Sequence, residues 1–300
     1  MSFETAPVHL MGWVDHPGRM ALYRANGMQT VTEGAPQLLG DTDNTKDVLL
    51  YQAWKDVLGT YPAYPAQEIG DCTSFGSSHA ADLTQCIEMA LGNQVGDYKE
   101  ICTEAWYGMG REVAGMLGGG DGCYGGAMAQ VATTLGIVPR EVVGPYSGQR
   151  AKSWGASGVP ADIKAKAAEH KFEATIAVTT LTELDAGLNN GYVGIVCSDQ
   201  GFTMTRDSTG ACQPQGSWSH CMAIAGRRNR GGVIEYLICQ SWGPNTPSGP
   251  TVDGQPDFSF WAPSKTVASM IAGKDSFLWS KIGLFNARPL PTGWSYLSQL

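Results

Sequence analysis

The sequence lacks the features that mark membrane-spanning, secreted and nucleic-acid-binding proteins. No apolar run approaches the length of about 18 residues that spans a bilayer. The first residues lack the charged start and apolar core of a signal peptide. The 20 basic residues are outnumbered by 28 acidic ones, and the net charge of −8 offers no general attraction to nucleic acid or anionic membranes. We therefore expect a cytoplasmic protein that binds neither nucleic acid nor membrane.

Closely spaced cysteines are also missing. The eight cysteines are scattered and no CxxC motif occurs, which argues against a structural zinc site. The glycine run at 118–126 is not followed by the Gly-Lys-Ser/Thr of a phosphate-binding loop. Because a reducing compartment keeps thiols free, we expect free cysteines, and we expect no metal or other cofactor.

What the chain does have is enough apolar sequence for a substantial core, since 43% of its 300 residues are hydrophobic. Turn-forming residues predict an N-terminal extension or arm over residues 1–60, followed by a main domain over 61–300. Helical periodicity dominates about 61–143, a turn-rich linker is expected at about 144–160, and strand patterns dominate about 161–300. This order predicts an α+β fold with a helical lobe and a mainly β lobe.

The stretch QEIGDCTSFG places Cys72 directly before a helical pattern. After it, residues recur every four positions at Phe75, His79, Leu83 and Ile87. The unpaired N–H groups at a helix N-terminus stabilise a thiolate, which makes Cys72 a candidate nucleophile. The alternative is a small buried residue without chemistry, the commoner fate of a free cysteine.

A thiolate nucleophile needs a base, and the chain has only five histidines. His79 lies on the same predicted helix, about 10 Å from Cys72, which is too far for a hydrogen bond; we interpret it as a packed residue on the apolar face. Three others lie in punctuated or polar surroundings: His9, His16 and His170. His220 is the remaining candidate.

His220 lies in SWSHCMAIAG, and the turn RRNRGG and the segment VIEYLICQSWG follow it. We interpret this as a hairpin with the arginines at a solvated tip. Symmetry about residue 230 places Gln240 roughly opposite His220, where its amide can fix the imidazole tautomer. The alternative is a buried His–Gln pair that merely satisfies two polar groups.

Four motifs, QEIGDCTSFG, GCYGG, WSHCMAIAG and LICQSWG, resemble those of papain-like cysteine peptidases in order and approximate separation. The resemblance runs from about Gln67 to Trp261, and further segments are similar to bacterial and bacteriophage-encoded members. It implies a papain-like two-lobed fold, with a helical lobe facing a β-barrel lobe and a cleft between them. It also implies a peptide or protein substrate whose amide bond is cleaved through a thioester.

The resemblance assigns roles to seven residues by position. They are the nucleophile Cys72, the base His220, the oxyanion donor Gln67, the orienting Gln240, the shielding Trp242 and the cleft-lining Gly125 and Gly126.

The sequence also departs from the family at several positions. Gln67 is one residue closer to the cysteine than usual, Gln240 replaces asparagine, and Thr73 replaces an aromatic residue. Ile69 replaces the cysteine that would pair with Cys123, so we expect Cys123 to be free. These departures keep a second hypothesis open: a non-catalytic scaffold with this fold, such as a phage particle component that contacts other subunits through its N-terminal arm. A zinc-binding module is the third hypothesis.

Overall fold

A long buried helix lies between a group of helices and an antiparallel sheet. The structure is a computed structural model that describes residues 6–16, 18–94 and 96–297. The α-helices are α1 (Arg19–Ala25), α2 (Val31–Gly34), α3 (Gln52–Leu58), α4 (Cys72–Ala90), α5 (Thr103–Val113), α6 (Gly125–Thr134), α7 (Arg140–Val143), α8 (Gly148–Ser157), α9 (Ala161–Ala167), α10 (Leu181–Asn189) and α11 (Ser264–Ala272). None of the described helices is long and apolar enough to cross a membrane.

The sheet carries the second lobe. Its strands are β1 (Lys46–Val48), β2 (Ala174–Ala177), β3 (Gly194–Phe202), β4 (Pro214–Arg230), β5 (Val233–Cys239), β6 (Ser259–Pro263), β7 (Ser276–Ser280) and β8 (Ser295–Leu297). The order β2-β7-β3-β4-β1-β8 is antiparallel throughout, with β5 paired to β4 and β6 to β5. The α+β fold is confirmed, but among the described strands no pairing closes the sheet, so the expected barrel is open.

The central helix is α4, which runs from Cys72 as the sequence periodicity predicts. Nearly all of its residues are buried, because it packs against β4 on one side and against α3 and α5 on others. Its contact with β4 is close: a Cβ added at Gly76 would lie 2.9 Å from the Cys221 carbonyl oxygen. Glycine at this position therefore lets the start of α4 approach the strand that carries His220.

Residues 144–160 are more regular than the turn signals suggested, since they contain α8. Ser147 caps this helix, its side chain accepting the Arg150 N–H. Gly155 lies against α5, where Arg111 donates to its carbonyl oxygen at 2.9 Å and an added Cβ would lie 2.8 Å from the Tyr107 ring. Serine and glycine serve here as a cap and a packing contact, and not as helix breakers.

The interpretation of the cluster RRNR as a solvated tip was wrong for Arg227 and Arg228, whereas Arg230 is exposed. These residues end β4, and the hairpin turn is Gly231–Gly232. The Arg227 side chain is fully buried and pairs with Asp185 at 2.8 Å. Arg228 is buried as well and pairs with Glu235 at 2.6 Å. Carboxylates from other elements allow both charges to be buried.

The described residues of the N-terminal region, 6–16 and 18–60, pack into the same body as the rest of the chain. β1 pairs with both β4 and β8. Leu49, Leu50 and Trp54 are buried in the common core. The Trp294 indole donates to Asp56 at 2.7 Å, which ties α3 to the segment before β8.

Candidate active site

Cys72 is the first residue of α4 and is fully buried. The preceding Asp71 is also buried and accepts a hydrogen bond from the Tyr146 hydroxyl at 3.0 Å. Burial raises the pKa of the Asp71 carboxyl well above its usual range, which favours its neutral form. A neutral Asp71 does not oppose a negative charge on the neighbouring sulfur.

The Cys72 thiol itself is protonated in this arrangement. Burial raises its pKa well above the ordinary value, and the nearby Cys221 thiol adds to that rise. The backbone N–H groups of Cys221 and Gly12 act in the opposite direction. The sulfur therefore faces two amide donors, one from β4 and one from the N-terminal region.

His220 lies on β4, one residue before Cys221, and is fully buried. Its Nε2 and the Gln240 Oε1 are 2.8 Å apart, while its Nδ1 is buried and has no hydrogen-bond partner within the described residues. With the amide oxygen as acceptor, Nε2 carries the proton and Nδ1 presents a lone pair. Burial lowers the pKa of His220 to about 4, so the ring is neutral near pH 7.

The indole of Trp242 covers one face of the imidazole. The two ring centroids are 4.6 Å apart with an angle of 34° between the planes, and Trp242 is fully buried. This contact keeps water from the hydrogen bond between His220 and Gln240, which strengthens that bond. The structure thus brings His220, Gln240 and Trp242 together.

The hairpin register differs from the one the symmetry argument predicts. The turn lies at Gly231–Gly232 and Ala223 pairs with Cys239, so Gln240 falls opposite Met222 and diagonal to His220. Long side chains reach across such diagonals. The Gln240 side chain spans this offset, since its Oε1 lies 2.8 Å from His220 Nε2.

Gln67 does not present a free amide donor. Its Nε2 donates to the carbonyl oxygens of Leu10 and Ile69, both at 2.6 Å. Its Oε1 accepts from the Ser241 hydroxyl at 2.7 Å, and its backbone N–H donates to the Ser241 carbonyl at 2.8 Å. The side chain is thereby fixed beside the segment that carries Gln240, with its donor capacity occupied.

The N-terminal region crosses the cleft between the helices and the sheet. We call residues 11–16 together with α1 the cover. Gly12 accepts from the Cys123 N–H, Val14 donates to the Cys123 carbonyl oxygen and Trp13 donates to the Ser219 carbonyl oxygen, each at 2.9 Å. The main chain of the cover thus bonds to both sides of the cleft directly beside Cys72.

Gly125 and Gly126 begin α6 at the edge of this cleft, and their backbone N–H groups donate to Asp275 at 2.7 and 3.0 Å. An anion at a helix N-terminus is stabilised by these unpaired donors. The cover supplies further donors, since the Trp13 indole donates to Asp275 at 2.7 Å and the Tyr23 hydroxyl also donates to it. A Cβ at Gly126 would lie 1.9 Å from the Tyr23 ring, so only glycine admits the cover here.

The fold is similar to that of several solved cysteine proteases. Xylellain, a cysteine protease from Xylella fastidiosa, matches with a TM-score of 0.62 and 15% identity, covering 94% of this chain and 100% of that chain. Procathepsin B from Trypanosoma congolense matches with a TM-score of 0.60 and 10% identity, covering 94% and 89%. The proform of the ragweed pollen cysteine protease Amb a 11 matches at 0.57 and 13%, covering 92% and 78%. The chain has the papain-like fold.

Searches by sequence found no match: no protein-family model and no curated protein matches the chain. Within the described part of the chain, no group of three or more His, Cys, Asp or Glu residues is placed to hold a metal ion. All eight cysteines are free thiols, including Cys123.

Sequence analysis missed Asp275 and the individual residues through which the N-terminal region contacts the cleft. The cover contacts Cys123 and Asp275, which lie more than one hundred residues further along the chain. A local sequence pattern does not predict contacts between such distant residues. Trp13 is the one available signal, since a tryptophan in a punctuated polar segment needs a partner for its apolar surface. In the papain-like fold that partner is the cleft.

Proposed function

We propose that the protein is a cysteine peptidase whose cleft is covered by its own N-terminal region. The observation that carries the proposal is the buried His220 ring. Gln240 holds its Nε2, and Nδ1 remains without a partner next to the strand position whose amide faces the Cys72 sulfur. A fixed tautomer with an open nitrogen beside a thiol at a helix start is the arrangement that thiol activation requires.

The chemistry follows from these groups. His220 Nδ1 takes the thiol proton, and the thiolate of Cys72 attacks the carbonyl carbon of the substrate amide. The imidazolium then gives its proton to the leaving amine, which departs as the C–N bond breaks and a thioester remains. Water, deprotonated by His220, hydrolyses the thioester and regenerates the thiol.

The negative oxygen formed in each step needs donors. The Cys72 backbone N–H is one, since the first N–H groups of a helix have no partner within it. Gln67 Nε2 is the second, but Leu10 and Ile69 occupy it while the N-terminal region is in place. Leu10 directly precedes the cover, so a departure that carries Leu10 with it breaks this bond and leaves one Nε2 hydrogen of Gln67 for the oxyanion.

The covered arrangement is a latent one. Burial keeps Cys72 protonated and His220 neutral, and the cover occupies the main-chain positions that a substrate would use. Removal of the cover admits water, which lowers the cost of the thiolate–imidazolium pair. We therefore expect activity after displacement of the cover, and little before it.

The test uses the full chain with the cover displaced by Gly12→Ala, assayed on a mixed fluorogenic peptide library. Turnover should be lost in Cys72→Ala and kept in Cys86→Ala, a matched change at a buried cysteine of the same helix. Gln240→Ala should lower turnover by about ten- to a hundredfold because the imidazole loses its orienting bond, whereas Gln240→Asn should retain more. Turnover that persists in Cys72→Ala would refute the proposal.

The occupied donor of Gln67 favours a second candidate, a non-catalytic scaffold with the papain-like fold. A viral particle is one assembly that could use such a subunit. Under this hypothesis neither Cys72 nor Gln240 affects turnover, and displacing the cover changes assembly alone. No turnover in any variant, together with a Cys72 that stays inert to alkylation after displacement of the cover, would support it.

A further inference from the structure

Several of the buried cysteines gather around one thiol on β4. Burial raises the pKa of Cys72, Cys123 and Cys197, and the neighbouring Cys221 raises each of them further. These three residues come from α4, from the segment before α6 and from β3. Cys197 also shares a side-chain hydrogen bond with Cys221. The thiols of Cys197 and Cys221 are therefore in direct contact.

The backbone holds Cys197 and Cys221 at the spacing of a disulfide. The two residues lie directly opposite each other on the antiparallel strands β3 and β4, in a register that runs without a shift from Gly194 to Ser198. Opposite Cα atoms in such a ladder are about 4.5 or 5.5 Å apart, and a disulfide spans about 4.4–6.8 Å between Cα atoms. A bond between these two sulfurs therefore requires no movement of the strands.

The cover closes this pair off from solvent. The Cys197 Sγ lies 2.9 Å from the position that a Cβ would take at Gly125, and a Cβ at the next residue, Gly126, would lie 1.9 Å from the Tyr23 ring. Burial raises the pKa of the Tyr23 phenol, and Asp275 and Cys197 raise it further, which places Cys197 within electrostatic reach of the phenol. The Tyr23 ring thus lies over the two glycines beside Cys197.

We propose that Cys197 and Cys221 are a reversible disulfide site, which a hydroperoxide oxidises when the Tyr23 ring leaves the cleft. The thiolate of Cys221 attacks one oxygen of hydrogen peroxide, the O–O bond breaks, and the departing hydroxide takes up the proton that the thiol released. The Cys197 thiol then attacks the sulfenic sulfur of Cys221, and water leaves. Two thiols and one peroxide give one disulfide and two waters. Neither Cys72 nor peptide turnover takes part in these steps.

Cys221 is the attacking thiol because Cys197 donates to it. Burial raises the pKa of both thiols, but their shared hydrogen bond lowers that of Cys221 and raises that of Cys197. Loss of the Tyr23 ring admits water, which reduces the cost of a thiolate. While the cover is in place, both thiols stay buried and protonated, and they are protected from oxidants.

The test treats the full chain with hydrogen peroxide, alkylates the remaining thiols and maps disulfides by peptide mass spectrometry. Every chain carries Cys212→Ala, so that Cys197 and Cys221 are each the one cysteine of their tryptic peptide. In Tyr23→Ala, peptides linked through these two cysteines should accumulate at least about tenfold faster than in the parent, because opening of the cover no longer limits access. Tyr23→Phe, which keeps the ring over Gly126, should oxidise several times more slowly than Tyr23→Ala.

Further variants check the identity of the site. In the Tyr23→Ala background, Cys197→Ala should remove the linked peptides. Cys239→Ala should preserve them, because this buried cysteine pairs across the sheet with Ala223 and Ser259 and with no thiol. Dithiothreitol should restore both thiols of the oxidised protein.

The fold of the variants is checked by alkylation of Cys86, which is buried on α4 and should label no faster than in the parent. Gly12→Ala, which displaces the cover by another route, should give the same linked peptides. An equal rate in the parent and in Tyr23→Ala, a Cys72–Cys221 disulfide instead, or no linked peptides in either uncovered variant would each overturn the proposal. These readouts need no substrate, so they fail or succeed independently of the peptidase proposal.

A second measurement identifies the attacking thiol. With Cys197→Ala in the Tyr23→Ala chain, the sulfenic acid of Cys221 has no resolving partner, so Cys221 should gain the mass of two oxygens as a sulfinic acid. With Cys221→Ala instead, Cys197 should remain a thiol under the same treatment. The reverse pattern, with Cys197 oxidised and Cys221 intact, would overturn the proposed order of attack.

Discussion

Gly12 is the position where a single methyl group should uncover Cys72. A Cβ added there would lie 1.8 Å from the carbonyl oxygen of Gly70, far inside the 3.0 Å below which such contacts are essentially never found. The backbone of Gly70 leads directly into α4 and cannot yield without moving Cys72. The cover must therefore move away from the cleft in Gly12→Ala.

The size of the effect follows from the bonds that the movement breaks. Three backbone hydrogen bonds hold this stretch of the cover, one each to the N–H and the carbonyl oxygen of Cys123 and one to Ser219. At a net value of about 1 kcal/mol each, their loss weakens docking of the cover by about 3 kcal/mol. That difference corresponds to an increase of about a hundredfold in the uncovered population.

The assay is alkylation of Cys72 by iodoacetamide, followed by peptide mass spectrometry. When the cover opens and closes faster than alkylation, the labelling rate follows the open fraction. Cys72 should label about a hundredfold faster in Gly12→Ala than in the parent. Gly40→Ala is the matched control, because a Cβ there meets nothing within 4 Å. Cys86, buried on the same helix, reports any global unfolding.

An unchanged Cys72 labelling rate in Gly12→Ala, with Cys86 protected and the circular dichroism spectrum unaltered, would refute the argument. So would a parent protein whose Cys72 already labels as fast as a free thiol.

Two further predictions concern stability. Burial lowers the pKa of His79 to about 3 and that of His220 to about 4, below the value of about 6.5 in an unfolded chain. The unfolded chain then binds more protons, so stability should be lost as pH falls from about 6.5 through these values. His79→Phe, which keeps the stack on Tyr64, should show a smaller fall in Tm between pH 7 and pH 4, and an identical fall would contradict the assignment. The second prediction is that Arg227→Ala lowers the free energy of unfolding by about 3–5 kcal/mol, since it leaves the buried Asp185 without its cation. The exposed Arg230→Ala on the same strand should cost under about 1 kcal/mol, and equal losses in urea titrations would count against the buried pair.

Local sequence patterns were enough to predict the features of the candidate site that depend on residues close together in the chain. The start of α4 at Cys72 followed from a four-residue repeat, and the approach of Gln240 to His220 followed from the hairpin. The register was off because the turn lies at Gly231–Gly232 and a bulge interrupts the pairing near Gly226. Symmetry about a presumed turn centre cannot detect either feature.

The burial of Arg227 and the contact between Trp13 and Asp275 depend on residues that are far apart in the sequence. The burial of Arg227 depends on Asp185, which lies 42 positions away. Asp275 and Trp13 are separated by 262 positions. A sequence segment reveals its charge and polarity, but the partner that allows it to be buried is fixed only by the complete fold.

The cover remains anchored on its C-terminal side. Directly after α1, Thr30 bridges to Ala177 and Thr32 bonds to Glu183. A displaced cover would thus stay near the cleft at an effective concentration of about millimolar, which dilution of the protein does not change. Under the proposed peptidase function, a substrate must outcompete this tethered segment whenever the chain is intact. Cutting the exposed turn at Asn26 and Gly27 would turn the same contacts into a bimolecular equilibrium, in which the released piece is lost by dilution.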